Sequence, residues 1–178
     1  MKKILSSLLL SFTLAACGGS FASAPAAAQP SLKFENTIVS LTFDDGDADN
    51  YLARPILAKH HLRATFYVVS GFTNSGGYMT VEQLRDLYND GHEIGGHTLS
   101  HVSLLDVRGE DLRREVCQDR ANLISFGFDA VSFAYPYGYH DDEAKRAAAA
   151  CGYKNARAVS DGPESVPPAD GYALRAMP

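Results

Sequence analysis

The sequence lacks the features that mark nucleic-acid-binding and membrane-spanning proteins. Its 178 residues include 16 Lys and Arg against 21 Asp and Glu, and the basic residues form no run suited to a nucleic-acid surface. The apolar stretch from Ile4 to Ala16 is too short to span a bilayer as a helix. No internal repeat or second domain is evident. Hydrophobic residues make up 46% of the chain, which is enough to form the core of one domain.

The first residues have the pattern of an export signal. Lys2 and Lys3 precede the apolar stretch, which ends in Leu-Ala-Ala followed by Cys17. Small residues before a cysteine at this place resemble the lipobox of bacterial lipoproteins, which implies lipidation of Cys17. We therefore expect residues 1–16 to be a signal peptide and residues 17–35, rich in Ala, Ser, Pro and Gly, to be a flexible tether. The protein is then exported and anchored to a membrane of the cell envelope. The alternative is ordinary signal cleavage that discards Cys17.

Two cysteines follow Cys17, and neither has a second Cys or His at the spacing of a metal site. In the oxidising compartment that export implies, Cys117 and Cys151 can form a disulfide. The alternative is a pair of buried free thiols, and we predict the disulfide.

From residue 36 onward, strand and helix patterns alternate along the chain. Short β-branched and aromatic runs predict strands, and apolar residues three or four apart predict helices between them. The predicted strands cover residues 38–43, 64–69, 93–96, 130–135, 154–159 and 172–175. Three predicted helices cover residues 50–60, 110–126 and 141–150. A fourth begins after its cap Thr80 and ends before Gly91. This order indicates parallel βαβ units whose strand ends share one rim, where α/β proteins place their sites.

Two of the strand ends have side chains suited to a metal. Asp44 and Asp45 follow the first strand, and two adjacent carboxylates there are costly unless a cation binds one of them. The other carboxylate is then free to act as a base. His97 and His101 follow the third strand, and histidines four apart on one helical turn point the same way. Two histidines and one carboxylate form a known catalytic zinc set, which leaves a position open for water or substrate.

A further strand end, at residues 133–138, has the sequence Phe-Ala-Tyr-Pro-Tyr-Gly. Aromatic residues with proline form a stiff, flat wall that suits a sugar ring, so Tyr135, Pro136 and Tyr137 are predicted to contact substrate. A backbone N–H in this turn can also face a developing oxyanion. Each of the three motifs alone also fits an ordinary turn, but their joint occurrence at strand ends is far more specific.

The three motifs resemble those of the polysaccharide deacetylase family, the NodB-homology domain of carbohydrate esterase family 4. The resemblance rests on residues 42–46, 91–101 and 133–138, and it covers residues 36–178 as one NodB-like domain. It implies an α/β fold, a distorted parallel β/α barrel, which we expect to be incomplete at its C-terminal end.

The resemblance also implies a role for each matched residue. Asp44 matches the catalytic base, and Asp45, His97 and His101 match the ligands of a divalent metal, typically Zn²⁺. Tyr137 matches the residue whose backbone N–H helps to stabilise the oxyanion.

The sequence departs from the family pattern at two places. Ala134 occupies the position where many members carry an arginine that orients the base, and we hypothesise that Arg175 takes over that function. The late histidine that acts as general acid has no counterpart, since no histidine follows His140. A missing acid impairs amide cleavage more than ester cleavage, because an alkoxide leaves more readily than an amide anion.

The activity that the resemblance implies is hydrolytic removal of acetyl groups from a carbohydrate polymer, foremost N-deacetylation of a glycan containing N-acetylglucosamine. One alternative is an O-acetyl esterase of the acetylxylan type, with the same ligands and base. Another is a non-catalytic glycan-binding envelope lipoprotein, which the two departures favour and the intact ligands and base oppose. The expected partners are an acetylated polysaccharide or oligosaccharide and, through the lipid anchor, a membrane, but no nucleic acid. We expect a monomer.

Overall fold

The computed structural model describes residues 37–160 and 162–177, in which short strands alternate with helices. The predicted signal peptide, Cys17 and the whole of the predicted tether lie outside the described residues. The strands are β1 (Leu41–Phe43), β2 (Ala64–Val68), β3 (Glu93–Gly96), β4 (Ser132–Ala134) and β5 (Asn155–Arg157). The helices are α1 (Arg54–Lys59), α2 (Val81–Asn89), α3 (Gly109–Ser125) and α4 (Asp142–Ala150), with 3₁₀ turns at Ala48–Ala53 and Pro136–Gly138. None of these described helices is long and apolar enough to cross a bilayer.

The five strands form one parallel sheet whose order, β1-β2-β3-β4-β5, follows the chain. Each crossover returns the chain to start the next strand beside the last, so all carboxyl ends lie at one edge. The sheet curls into a half-barrel. The predicted α/β fold, a distorted and incomplete β/α barrel, is confirmed.

Pairing makes most strands shorter than the sequence pattern predicts, with the largest differences at the first and the last predicted strand. Leu41 pairs with Ala64, where β2 begins, so Ile38 and Val39 precede the ladder and are 61% and 76% exposed. Within residues 172–175, predicted as a sixth strand, the structure pairs Leu174 with Arg157 as an isolated bridge. A run of strand-forming residues therefore predicts where a strand can form, but the partner decides where it ends.

The core lies between the sheet and the helices. Phe66, Ile94 and Phe133, from three adjacent strands, are at most 1% exposed. The helices cover them with the buried side chains of Leu84, Leu87, Leu112, Val116, Leu123, Ala144 and Ala148. Burial of these apolar side chains supplies most of the free energy that holds the helices on the sheet.

The first predicted helix, residues 50–60, differs most from the expected pattern. Its first half is a 3₁₀ turn and α1 begins at Arg54. Leu52 and Ile56 are 68% and 61% exposed, whereas Leu57 is buried. The 3₁₀ turn has three residues per turn rather than 3.6, so the three positions that share one face of a regular α-helix no longer do so.

A disulfide joins the last two helices. It links Cys117 in α3 to Cys151, the C-terminal cap of α4, whose Cα atoms are 4.9 Å apart. Because the two cysteines are 34 residues apart in sequence, the bond ties α3 to α4 across a connection that includes β4.

Candidate metal centre

Three loops meet at the carboxyl edge of the half-barrel. Asp44 and Asp45 follow β1, the segment from His97 to His101 follows β3, and the 3₁₀ turn Pro136–Gly138 follows β4. The parallel arrangement brings these sequence motifs together, because it puts every strand end at the same edge.

The three predicted ligands converge on one point. Asp45 Oδ1 lies 3.2 Å from His97 Nε2 and 3.0 Å from His101 Nε2. One ligand atom from each residue lies within 4.8 Å of the other two. His97 is buried, but Asp45 and His101 are partly exposed, so the donor set opens toward solvent on one side. Two imidazoles and one carboxylate with an open side suit a divalent metal that keeps a position for water or substrate.

The orientation of the His97 ring is fixed from behind. His97 Nδ1 lies 2.7 Å from the carbonyl oxygen of Ala134. A carbonyl only accepts, so Nδ1 carries the hydrogen and Nε2 is left to face Asp45. Metal-binding histidines commonly donate their second N–H to such a carbonyl. Ala134 thus contributes to the centre through its backbone.

The local electrostatics favour the metal-binding protonation states of Asp45 and His101. Contact with His97, more than with His101, lowers the pKa of the Asp45 carboxyl. Burial, together with the nearby His97, lowers the pKa of His101. A carboxylate and a neutral imidazole are therefore both favoured near neutral pH.

The segment between the two histidines is not the helical turn that the sequence predicts. It is a bend in which Thr98 and His101 have φ of +68° and +58°. The Thr98 hydroxyl accepts from the His101 N–H at 2.9 Å, and Glu115 of α3 accepts from the Ser100 N–H and hydroxyl at 3.0 and 2.9 Å. These side-chain acceptors replace the backbone bonds of a helix, and the bend they impose turns both imidazoles toward Asp45.

Asp44 is held apart from the metal ligands. The Nη2 atom of Arg157 lies 2.5 Å from both carboxylate oxygens of Asp44. The Asn50 amide donates to the backbone oxygen of Asp44 at 2.7 Å. Asp45 has φ of +70°, and the two adjacent carboxylates contact different partners. One faces the histidines and the other faces Arg157.

Arg157 was not predicted from the sequence, from which Arg175 was the hypothesised partner of Asp44. The Arg175 backbone N–H donates to Glu164 Oε2 at 2.9 Å, and the residue is exposed. The guanidinium that the structure places on Asp44 is that of Arg157, at the end of β5. The only sequence signal for it is a charged residue inside the strand pattern Asn-Ala-Arg-Ala-Val, at a strand end.

The aromatic motif after β4 is divided between core and surface. Tyr135 and Pro136 are buried, and the Tyr135 hydroxyl donates to the Tyr172 carbonyl at 3.0 Å. Burial therefore removes these two predicted substrate contacts from the surface. Tyr137 is 59% exposed, and its ring centroid lies 4.9 Å from that of His101. Tyr139, which the sequence analysis did not single out, is 57% exposed and lies 6.0 Å from Tyr137.

The protein is an α/β half-barrel with a candidate metal site. The site consists of an Asp-His-His donor set and a separate carboxylate at the carboxyl edge of the curled parallel sheet. The chain belongs to the polysaccharide deacetylase family, which it matches over residues 32–156. The resemblance of the three motifs to this family is thereby confirmed.

Individual relatives are similar to the chain at moderate identity. The Streptococcus pyogenes deacetylase PplD, solved in complex with acetate, is 28% identical with a TM-score of 0.72, over 76% of this chain and 61% of PplD. A peptidoglycan-N-acetylglucosamine deacetylase of Bacillus cereus is 26% identical over 66% of this chain and 54% of its own length. A chitooligosaccharide deacetylase of Rhizobium leguminosarum is 30% identical over 61% of this chain and 48% of its own length. The chain thus spans about half the length of these curated relatives.

Proposed function

We propose that the protein is a metal-dependent hydrolase that removes acetyl groups from a carbohydrate polymer, foremost from N-acetylglucosamine units. The observation that carries this proposal is the separation of functions at the site. Asp45, His97 and His101 share one point, while the carboxylate of the adjacent Asp44 is held by Arg157. A base next to a metal set with an open side is a reactive arrangement rather than a structural metal site.

The three ligands would hold a divalent cation, and we propose zinc because two imidazoles with one carboxylate suit it. When bound, the metal supplies a Lewis acid that polarises a carbonyl and makes water more acidic. Asp44 accepts the proton of the attacking water. The Tyr137 N–H stabilises the negative charge that develops on the acetyl oxygen. Tyr137 also offers its exposed ring to a sugar face beside the site.

A polymeric substrate is supported by the pair of exposed aromatic rings at the rim. Tyr137 and Tyr139 lie side by side, both more than half exposed, and flat apolar rings of this kind pack against the faces of sugar rings. The names of the relatives point the same way, to peptidoglycan and chitooligosaccharides.

O-acetyl ester cleavage is the second candidate. His140, the last histidine among the described residues, stacks on the buried Tyr135 ring at 5.0 Å with its Nδ1 on the Gly138 carbonyl. Cleavage of an ester depends less on a general acid than cleavage of an amide does, because the alkoxide leaves without prior protonation more readily.

We also propose that the protein is exported and lipid-anchored at Cys17. The lipobox-like sequence supports the anchor, and the disulfide between Cys117 and Cys151 fits an oxidising compartment. Cells given a palmitate analogue should label the wild-type chain but not Cys17→Ala. Equal labelling of both proteins would refute the anchor.

The activity is tested by acetate release from an N-acetylglucosamine oligomer and from acetylated xylan. The full chain is assayed with zinc, with chelator and as the Asp44→Asn variant, which preserves the size of the side chain. We expect release that chelator abolishes and that Asp44→Asn lowers by about 100-fold or more, the usual contribution of a general base. The preferred substrate decides between amide and ester.

Failure has two distinct forms. A folded, zinc-loaded chain that releases no acetate but binds the oligomer supports a glycan-binding function instead. Undiminished release by Asp44→Asn shows that another group is the base.

A further inference from the structure

One ion pair spans the whole width of the sheet. Asp44 directly follows β1 and Arg157 ends β5, and these strands are the two edges of the five-stranded sheet. The guanidinium nevertheless lies in contact with both oxygens of the carboxylate. The Arg157 side chain is 8% exposed and that of Asp44 is 38% exposed, so the pair is sheltered on the arginine side. Curling of the sheet brings its two edges close enough for this contact.

Small residues on the intervening strands leave room for the long side chain. The Arg157 Cζ atom lies 5.1 Å from the ring centroid of Tyr67 on β2. Gly95 of β3 faces the same ring, and a Cβ there would lie 2.7 Å from it. Ala134 of β4 is the register partner of Arg157, and register partners in a sheet point to the same face. An alanine methyl is therefore the only side chain at that level of β4.

The Arg157 guanidinium depends on Asp44 for its orientation. Its Nε atom is buried and has no hydrogen-bond partner among the described residues. Its Nη1 atom donates to the Ala158 carbonyl at 3.4 Å, which is a long contact. The charge-assisted contact of Nη2 with Asp44 is the strongest that the group makes, and the two side chains fix each other.

We propose that Arg157 is the positioning residue for Asp44 and that it replaces, from the neighbouring strand, the arginine that many family members carry at the position of Ala134. Positions 134 and 157 lie at the same level of adjacent strands, so a guanidinium from either one points to the same face of the sheet. The chain has moved the positive charge by one strand while keeping its target. The catalytic part of this inference rests on the proposed function, whereas the contact between Arg157 and Asp44 is independent of it.

The kinetic test uses the zinc-loaded full chain with an N-acetylglucosamine oligomer or, if esters are preferred, acetylated xylan. Arg157→Met should lower kcat by about 100-fold, the effect of misplacing a reacting group, with KM and zinc content nearly unchanged. Introducing Ala134→Arg into the Arg157→Met variant should restore part of kcat, because it returns a guanidinium to the same face. Added guanidinium ion should partly rescue Arg157→Ala. Arg175→Met is the matched comparison and should keep wild-type kcat.

Loss of kcat in Arg175→Met but not in Arg157→Met overturns the proposal in favour of the residue that the sequence analysis chose. Loss in Arg157→Met without rescue by either route also overturns it, since the arginine is then needed only for folding. The Arg157→Lys variant covers the case in which Arg157→Met does not fold.

A second measurement separates this inference from the proposed function. Urea unfolding of wild type, Asp44→Asn, Arg157→Met and the double variant forms a double-mutant cycle that needs no activity. If the side chains fix each other, the double variant is no less stable than the less stable single variant. Strictly additive effects contradict the link between them. If the wild type is inactive but the cycle shows coupling between the two side chains, the proposed hydrolase function is refuted and the contact between Arg157 and Asp44 is supported.

Discussion

Left-handed backbone conformations surround the metal centre at four residues other than glycine. Asp45, Thr98, His101 and Tyr137 have φ of +70°, +68°, +58° and +60°. Each costs about 1–3 kcal/mol and persists only where the surrounding contacts impose it. At Asp45 the turn separates two adjacent carboxylates, and at Tyr137 it accompanies an exposed ring. His61, Asn74 and Ala130 share this conformation away from the site, but at the site the turns direct the side chains toward one another.

The ring and the backbone of Tyr137 should have separable effects. Tyr137→Ala removes the exposed ring but keeps the N–H, so we expect KM for the oligomer to rise about tenfold, the value of one aromatic contact, while kcat stays within a few fold. Steady-state kinetics on the zinc-loaded chain measure both constants. Tyr137→Phe is the control and should resemble wild type. A large fall in kcat for Tyr137→Ala alone would assign a chemical function to the side chain.

At the scale of elements, α3 supports the site through polar side chains on its buried face. Glu115 holds the bend between the histidines, and Asp119 accepts from the Ser70 N–H at 3.2 Å and from the Tyr153 hydroxyl at 2.7 Å. The close packing of α3 on β3 depends on Gly96, the residue before His97. A Cβ at Gly96 would lie 2.0 Å from the Tyr153 oxygen and 2.3 Å from Asp119 Oδ2.

We therefore expect Gly96→Ala to destabilise the fold by about 3 kcal/mol, the upper range for overpacking a core. The clash would displace Asp119 and Tyr153, and with them the approach of α3 to β3. Urea unfolding measures the effect, and loss of zinc affinity should accompany it because His97 is adjacent. Gly76→Ala is the matched control, since no atom lies within 4 Å of its Cβ position. Equal stability of the two variants would mean that the helix shifts at little cost.

For the whole molecule, Asp119 makes stability depend on pH. Burial raises the pKa of Asp119 to about 7 from 3.8, and burial with the nearby carboxylate raises that of Tyr153. The native state therefore holds a proton between about pH 4 and pH 7 that the unfolded chain releases. The contribution of Asp119 to the free energy of unfolding is fully present below pH 3.8. It decreases by about 1.4 kcal/mol per pH unit as the pH rises toward 7.

Asp119→Asn should abolish this dependence, because an amide imitates the protonated acid: its oxygen can accept from the Ser70 N–H and its NH2 group can donate to the Tyr153 oxygen. Unfolding free energies of both proteins are compared at intervals from pH 4 to pH 8. The difference, wild type minus variant, should decrease steadily up to about pH 7 and then level off. Parallel curves would show that Asp119 is already ionised at pH 4 in the native state.

Much of this architecture could be predicted from local patterns. The alternation of strands and helices indicates parallel βαβ units, and Thr80 forms the predicted cap, with its side chain accepting from the Gln83 N–H. Asp45, His97 and His101 were recognisable because motif spacing and residue chemistry are both properties of the chain. The helical turn predicted for the two histidines was wrong, because Glu115, which accepts from Ser100 in the bend, belongs to a separate helix that the pattern of the motif does not contain.

The sequence by itself determined the family, the α/β order and the three residues of the candidate metal site, since each depends on residues near one another in the chain or on strand ends that topology must bring together. Only the tertiary structure decided which arginine contacts Asp44. That contact joins the first and last strands across 113 residues, and it depends on how far the sheet curls and on the small side chains between. The tertiary structure also decided that Tyr135 is buried and Tyr137 is exposed. The two residues lie in a tight turn, where the spacing of residues along the chain does not predict which side chain is buried.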